Sequence, residues 1–233
     1  MVSLGLGDPC LLCPQSRAAL ESATAVAGYS TYLDLLEPEL LAGRELVETG
    51  MTGEVERVNR AVDLALAGHR VAVVSSGDAG VYAMAGLVLE VLEERGLSET
   101  LPCEVLPGVP ALAAAAALLG APLTHDFACV SLSDLLTPWE TIEKRLAAAA
   151  GADFVLVLYN PRSKRRSGHL ARALAIIAAQ RAPSTPAGVV CRAFRPGQSV
   201  TVTTLGELDP EAVDMQSRSE EHTFELQSRF GIS

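Results

Sequence analysis

Short apolar runs alternate with longer amphipathic segments along most of the chain. Arg70–Ser76 contains V-A-V-V, the continuous β-branched run of a buried parallel strand. Glu54–Leu66 instead places its apolar residues at helical spacing. Further strands are predicted at Val2–Leu6, Cys103–Leu106, Phe127–Leu132, Phe154–Tyr159, Gly188–Ala193 and Ser199–Thr204. Further helices are predicted at Pro14–Val26, Val81–Arg95, Pro110–Leu119, Trp139–Ala150 and His169–Gln180. Such alternation predicts an α/β protein with parallel or mixed sheets flanked by helices.

The chain divides into three segments by pattern. The join near Pro107 and Gly108 predicts an N-terminal α/β domain at 1–108 and a C-terminal α/β domain at 109–215. Residues 216–233 are polar and aperiodic, and R-S-E-E-H-T-F-E-L-Q-S resembles a translated sequencing adapter. We therefore expect a non-native tail that takes no part in the fold. The apolar strand expected after Met215 would then be missing, which would leave a sheet edge unpaired.

Charge and composition narrow the class of protein. The 18 basic and 28 acidic residues give a net charge of −10, which disfavours nucleic-acid binding by bulk charge. No apolar run is long enough to span a bilayer, and the N-terminus lacks a basic segment followed by an apolar one. We expect a cytoplasmic protein that binds neither nucleic acid nor membrane.

The cysteines favour reduced thiols. Their number, five, is odd, and Cys10 and Cys13 form a C-x-x-C with no second pair to complete a zinc site. We expect no metal site. The pair could have a redox or metal role, but we favour the alternative that these are two small residues at a loop-to-helix junction.

Two glycine-rich segments follow predicted strands, where open α/β sheets bind ligands. The first, L-G-L-G-D at Leu4–Asp8, fails as a dinucleotide fingerprint because Cys10 stands where the third glycine belongs. The second is S-S-G-D-A-G-V-Y at Ser75–Tyr82. The structural alternatives are a tight turn for the first and an Asp78 helix cap for the second. The missing glycine also disfavours a nicotinamide-dependent oxidoreductase.

These segments, followed by L-P-G-V-P-A at Leu106–Ala111, occur in this order in tetrapyrrole methylases, which the chain resembles over nearly all of Val2–Met215. The stretches His125–Glu140, Leu158–Ser163 and Cys191–Gln198 resemble the branch of that family that methylates carbon 17 of a corrin precursor. Other members, the carbon-11 methylases and diphthine synthases, remain alternatives that the Ser131–Glu140 stretch disfavours.

The resemblance implies the two-domain fold of class III methyltransferases, S-adenosylmethionine as methyl donor, and a homodimer. It also implies a precorrin-3B or cobalt-containing substrate, methylated at carbon 17 with contraction of the ring to precorrin-4. By match to the family's motifs, the cofactor would contact Leu6, Gly77, Asp78, Val81, Pro110, Ala111, Tyr159 and Asn160. The chain departs from the usual pattern at Leu6, where most members have Pro, and at Cys13, where Thr is common.

The substrate side is marked by basic and hydroxyl residues. P-R-S-K-R-R at Pro161–Arg166 is the densest basic cluster of this acidic chain. Because a precorrin carries many carboxylates and arginine binds carboxylates in a bidentate way, we expect substrate contacts from Arg162, Arg166 and Arg192. The alternative is a solvated basic loop. Ser131 and Asp134 are further candidates for contact with the substrate.

The reaction that the resemblance implies is direct methyl transfer, which needs alignment more than a nucleophile. No residue is assigned as catalytic, although His125 and Asp126 are a candidate acid/base pair whose structural alternative is a simple hydrogen-bonded pair. Thr137 and Glu140 form a T-x-x-E capping box, with Pro138 predicted at the first helical position.

Overall fold

The computed structural model describes residues 1–50, 53–121, 123–161 and 168–211, together with the backbone of 222–226. It divides the chain into unit 1, Met1–Pro110, and unit 2, Ala111–Ser233. Among the helices of the described residues, none is long and apolar enough to cross a membrane.

Unit 1 is a parallel four-stranded sheet with the order β1-β4-β2-β3. Parallel strands need crossover connections, and these are mostly helical here. The elements are β1 (Val2–Ser3), α1 (Pro14–Ser22), β2 (Ala25–Tyr29), α2 (Ser30–Leu33), β3 (Glu45–Thr49), α3 (Glu54–Leu66), β4 (Val71–Ser75) and α4 (Ala85–Glu94). Short 3-10 turns lie at Pro9–Leu11 and Pro38–Leu40.

The sheet of unit 1 is buried on both faces, as its parallel topology requires. One apolar cluster contains Val58 and Val62 of α3 and Val88 of α4. A second contains Leu20 of α1 and Val74 of β4. The V-A-V-V run predicted as a buried strand is β4, and Pro14 occupies the first turn of α1 as expected.

Unit 2 is a mixed five-stranded sheet with the order β5-β6-β9-β7-β8. Its elements are α5 (Ala111–Leu119), β5 (Phe127–Ser131), α6 (Trp139–Gly151), β6 (Val155–Tyr159), α7 (His169–Ala178), β7 (Pro186–Cys191), β8 (Ser199–Thr204) and β9 (His222–Leu226). The main core packs α6 and α7 on the sheet through fully buried Ile142, Leu146, Leu170 and Ile177. The turn predicted at R-P-G-Q joins β7 to β8.

Two strands of unit 1 differ from the sequence-based prediction. The helix expected at Pro14–Val26 ends at Ser22, and the A-V-A-G-Y segment that follows is the central strand β2. A Cβ at Gly28 would lie 2.6 Å from Val74 Cγ2, so this strand needs small residues. Those residues hid the β-branched signature. Strand β3 escaped prediction because it lies at the sheet edge and buries only Val47.

The expected strand at Cys103–Leu106 reduces to a single bridge between Leu106 and Val2. The capping box at the start of α6 is also wrong. Pro138 itself is the N-cap, with ψ near 141°, and no side chain caps the helix. Because a proline in that extended conformation lies outside the helix, α6 begins one residue later, at Trp139.

Strand β9 comes from the segment expected to stay outside the fold. It pairs antiparallel with both β6 and β7 and therefore lies inside the sheet. The unpaired edge expected after Met215 is thus filled in this structure. A polar composition did not predict a strand, because the pairing of two neighbours with an available edge is a tertiary effect.

We predict that truncation after Glu211 destabilises unit 2. Removing β9 removes its hydrogen bonds to two strands, a loss on the order of 5 kcal/mol. The melting temperature should fall by about 10 °C or more. Truncation after Leu226 is the matched control and should leave the melting temperature unchanged. Circular dichroism measures both melting temperatures. Equal melting of both truncations would contradict a structural role for β9.

Candidate functional site

Three loops of unit 1 meet at the carboxyl end of its sheet. The first loop follows β1 and contains Gly5 and Leu6, and the second follows β4 and contains Gly77 and Asp78. The third loop follows Leu106 and contains Gly108. The first two loops are joined by reciprocal backbone bonds, since Gly5 N–H donates to Gly77 O at 3.1 Å and Gly77 N–H donates to Gly5 O at 2.6 Å. Parallel strands end at one edge, which is why residues 72 positions apart come together.

The Asp78 carboxylate connects the second loop to the third. Its Oδ1 accepts from Gly80 N–H at 2.8 Å, and its Oδ2 accepts from Gly108 N–H at 2.9 Å. Asp78 lies well before the first residue of α4, Ala85, so the alternative that it caps this helix is wrong. Both oxygens hold backbone amides, and each such bond to a charged acceptor is stronger than a neutral one.

The Ser3 side chain forms hydrogen bonds to the backbone of the second loop and of the residue before the third. Its buried hydroxyl donates to Leu106 O at 2.6 Å and accepts from Ala79 N–H at 2.8 Å. A Cβ at Gly108 would lie 2.5 Å from both Gly77 O and Ser3 Cβ, so only glycine allows this approach. The sequence-based analysis assigned no role to Ser3 or Gly108. The signal available was a serine inside an otherwise apolar strand.

The unit 1 residues expected to contact cofactor lie in or beside these loops. Leu6 is buried, and Val81 is half-buried and donates its N–H to Asp78 O at 3.1 Å. Gly5 and Gly77 have φ of 60° and 66°, a left-handed conformation that favours glycine. Pro110 is half-buried at the end of unit 1. The loops thus present closely approached backbone, with the Asp78 charge already engaged.

A second set of polar groups lies at the carboxyl edge of the unit 2 sheet. Ser131 ends β5 and is in register with Tyr159, which ends β6. The Tyr159 hydroxyl accepts from Leu112 N–H at 3.0 Å and so satisfies an amide in the first turn of α5, which begins at Ala111. Asn160, with φ of 52°, donates its side-chain amide to Ser131 Oγ at 3.0 Å.

Arg192 lies at the same edge, because β6 and β7 are both antiparallel to β9 and therefore run the same way. It is exposed directly after β7, with φ of 50°. A Cβ at Gly197 would lie 2.9 Å from Arg192 Nη1, so glycine leaves room for the guanidinium. Arg162 and Arg166 lie outside the described residues.

Asp134 follows Ser131 by three residues. It is exposed in the turn after β5, and its Oδ2 lies 3.6 Å from His169 Nε2. His169 begins α7 and had no place in the sequence-based interpretation, which offered no signal for it. His125 and Asp126 are both exposed in the loop before β5.

All five cysteines, each within the described residues, are thiols outside disulfides. Burial raises the pKa of the Cys129 thiol in β5, which keeps it protonated and poorly nucleophilic at neutral pH. Among the described residues, no cluster of three or more His, Cys, Asp or Glu side chains could hold a metal ion.

The family model for tetrapyrrole (corrin/porphyrin) methylases matches residues 1–209. The chain belongs to this family. Among curated relatives, the "Probable cobalt-factor III C(17)-methyltransferase" of Salmonella typhimurium is 48% identical over 93% of this chain and 89% of its own length. The "Precorrin-3B C(17)-methyltransferase" of Sinorhizobium sp is 40% identical over 92% of this chain and 84% of its own.

Solved structures agree. The methyltransferase CobJ has a TM-score of 0.91 at 38% identity, covering 99% of this chain and 95% of its own. The uroporphyrin-III C-methyltransferase of Thermus thermophilus, complexed with S-adenyl homocysteine, has a TM-score of 0.69 at 27% identity, covering 97% and 95%. The resemblance and fold class expected from the sequence are confirmed, and this methyltransferase uses S-adenosylmethionine. The oxidoreductase alternative finds no support.

We predict that Gly108→Ala weakens binding of S-adenosylhomocysteine and lowers the melting temperature. The added Cβ must displace Gly77 O or Ser3, and such overpacking costs about 1–3 kcal/mol. Gly86→Ala, inside α4 with open space around its Cβ, is the matched control. It should keep the affinity and raise stability by about 0.5–1 kcal/mol. Calorimetry and thermal melts distinguish the two, and equal behaviour would contradict the close approach.

Proposed function

We propose that this chain transfers a methyl group from S-adenosylmethionine to carbon 17 of a precorrin-3-level macrocycle in cobalamin biosynthesis. The macrocycle is precorrin-3B or its cobalt counterpart, and the ring contracts to the precorrin-4 level. The observation that carries the proposal is the 48% identity, over 93% of the chain, to a relative named for this reaction. The carbon-17 stretches noted in the sequence support it.

The cofactor supplies an activated methyl group, so the protein's task is to bind, orient and exclude water. The unit 1 loops fit this ligand, because a zwitterion with an adenine needs shape and backbone hydrogen bonds more than countercharge. We propose that Leu6, Gly77, Val81 and Pro110 contact it through backbone and apolar atoms. Asp78 would then act by holding the loops in place.

We propose that Ala111, Tyr159 and Asn160 of unit 2 also contact the cofactor. The hydroxyl of Tyr159 and the amide of Asn160 are already engaged within unit 2. Contact with the cofactor would therefore use their backbone or ring atoms, and Ala111, which is buried at the start of α5, would contribute backbone only.

The substrate assignments rest on charge. A precorrin carries several carboxylates, and a guanidinium binds a carboxylate with two parallel hydrogen bonds. We propose that Arg192 and Ser131 donate to these groups, together with Arg162 and Arg166. We also propose Asp134 as a substrate contact, although its own negative charge makes a carboxylate of the macrocycle a poor partner.

The identity to the relative named for cobalt-factor III, 48%, exceeds the 40% to the relative named for precorrin-3B. We therefore propose the cobalt-containing macrocycle as substrate. We further propose that the enzyme works in the cytoplasm. We also propose that it forms a homodimer, which analytical ultracentrifugation tests.

The direct test is incubation with S-adenosylmethionine carrying a ¹³C-labelled methyl group and either cobalt-factor III or precorrin-3B. The proposal predicts one label, located by NMR at carbon 17, and faster turnover of the cobalt form. Label at carbon 11 would instead support the alternative family member. Absence of labelling with both macrocycles would refute the proposed substrate class.

We predict that Asp78→Ala raises the Kd for S-adenosylhomocysteine about tenfold or more while the circular dichroism spectrum is kept. The variant removes two charge-assisted bonds to loop amides. Asp78→Asn retains one acceptor oxygen, so its Kd should lie between those of the native protein and Asp78→Ala. Unchanged affinity in both variants by calorimetry would remove Asp78 from the binding loops.

We predict that Arg192→Ala raises the KM for the macrocycle about tenfold and leaves the Kd for S-adenosylhomocysteine unchanged. The reason is the loss of one bidentate carboxylate contact. Arg60→Ala, an exposed arginine of α3 located 4.0 Å from Glu56, is the control and should change neither value. A parallel loss of substrate and cofactor binding would assign Arg192 a structural role in its turn.

A further inference from the structure

Leu132 connects the turn Ser131–Leu136 to β6 and to α7. Its side chain is fully buried, and its N–H donates to Tyr159 O at 2.8 Å. Its carbonyl oxygen lies 3.0 Å from His169 Nδ1. Beyond this point the turn is solvent-exposed, with Leu136 98% exposed. His169 therefore contacts the turn that carries the two proposed substrate residues, Ser131 and Asp134.

The geometry determines the proton arrangement on the His169 ring. A carbonyl oxygen only accepts, so Nδ1 must carry a proton to bond to Leu132. In the neutral ring Nε2 is then an acceptor that faces Asp134 Oδ2 at 3.6 Å, and two acceptors do not attract. A second proton on Nε2 turns this contact into an ion pair. The protonated ring thus binds the turn at two points, and the neutral ring at one.

The ring itself is fixed by its neighbours. It packs on the indole of Trp139 with centroids 4.5 Å apart. The Arg172 guanidinium lies 4.4 Å from the centroid of the same indole and donates to Glu143 Oε1 at 3.0 Å. Asp134 of the turn faces the His169 ring directly, whereas Glu143 of α6 and Arg172 of α7 contact the indole on which that ring packs. The His169 side chain is only 13% exposed, so its orientation is restricted.

The turn presents a hydrogen-bond donor. Ser131 Oγ accepts from Asn160 Nδ2 at 3.0 Å and from Ser133 N–H at 3.3 Å. Both bonds use its lone pairs, and no described residue accepts its own proton, which can be donated to a ligand. A carboxylate or carbonyl of the macrocycle has the chemistry to accept it. The position of this hydroxyl depends on the backbone on both sides of Ser131.

We propose that His169 is a positioning residue, which holds the Ser131–Leu136 turn for the macrocycle through Leu132 and Asp134. The inference rests on the proposed function for its substrate, and on contacts within unit 2 for its geometry. His169 does not touch the reacting atoms. The protonated ring contacts both Leu132 and Asp134, so in that form it holds the turn at two points for substrate binding.

Two isosteric variants separate the two contacts. Asn places an amide donor near the position of Nδ1, so His169→Asn keeps the bond to Leu132 and loses Asp134. Gln reaches the position of Nε2, so His169→Gln keeps a donor to Asp134 and loses Leu132. His169→Ala loses both. The matched control is His69→Asn in unit 1, a histidine 3.8 Å from Glu45 and remote in sequence from the turn.

Hydrogen exchange of the peptide covering 131–136 tests the geometry without substrate. Exchange should be faster than native in His169→Ala, intermediate in Asn and Gln, and unchanged in His69→Asn. Unchanged exchange in His169→Ala would show that His169 does not hold the turn and would overturn the proposal.

Kinetics with the macrocycle test the positioning role. We expect His169→Asn and Asp134→Asn each to raise KM about tenfold, with the Kd for S-adenosylhomocysteine unchanged. The KM of the double variant should be no higher than that of either single variant, because both substitutions remove the same contact between His169 and Asp134. The kcat should stay near its native value in both single variants, because a contact made equally in the ground state and the transition state changes KM only. Faster exchange with native KM would overturn the role in substrate binding. A native enzyme inactive on both macrocycles would instead refute the proposed function, and this substrate role with it, while the exchange result still decides whether His169 holds the turn.

Discussion

The Asp78 carboxylate is the interaction on which the unit 1 site depends. Three loops leave the same edge of a parallel sheet, and each exposes backbone amides that need partners once they approach one another. Asp78 supplies two acceptor oxygens, to Gly80 and Gly108, and the reciprocal bonds of Gly5 and Gly77 join the other pair of loops. The charge is therefore used inside the protein. What remains for a ligand is closely approached backbone, which suits S-adenosylmethionine.

Tyr159 has the corresponding place in unit 2. Its hydroxyl accepts from an amide of α5, and its carbonyl accepts from Leu132 of the turn after β5. Its neighbour Asn160 reaches Ser131, so one strand end orders a helix start and the adjoining turn. His169, the first residue of α7, adds a bond to Leu132. In each unit, polar side chains bonded to backbone fix the loops at the carboxyl edge of the sheet.

Sequence patterns predicted the elements whose own residues show a regular apolar pattern. Strand β4 has a β-branched run, and α3 has apolar residues at helical spacing. The pattern failed where tertiary contacts decide. Strand β2 has small side chains because Gly28 packs against Val74. Segment β9 is a strand because β6 and β7 both pair with it. The loop glycines and Asp78 could be proposed as site residues from their position after strands, whereas Ser3 and His169 make their contacts with residues distant in sequence.

The measurement that tests the account most directly is calorimetric titration of the purified chain with S-adenosylhomocysteine, with NAD as the control ligand. The account predicts saturable one-site binding of S-adenosylhomocysteine and no binding of NAD. A folded chain that binds neither ligand, or that binds NAD in preference, would contradict the assignment of the Asp78 loops to the methyl donor.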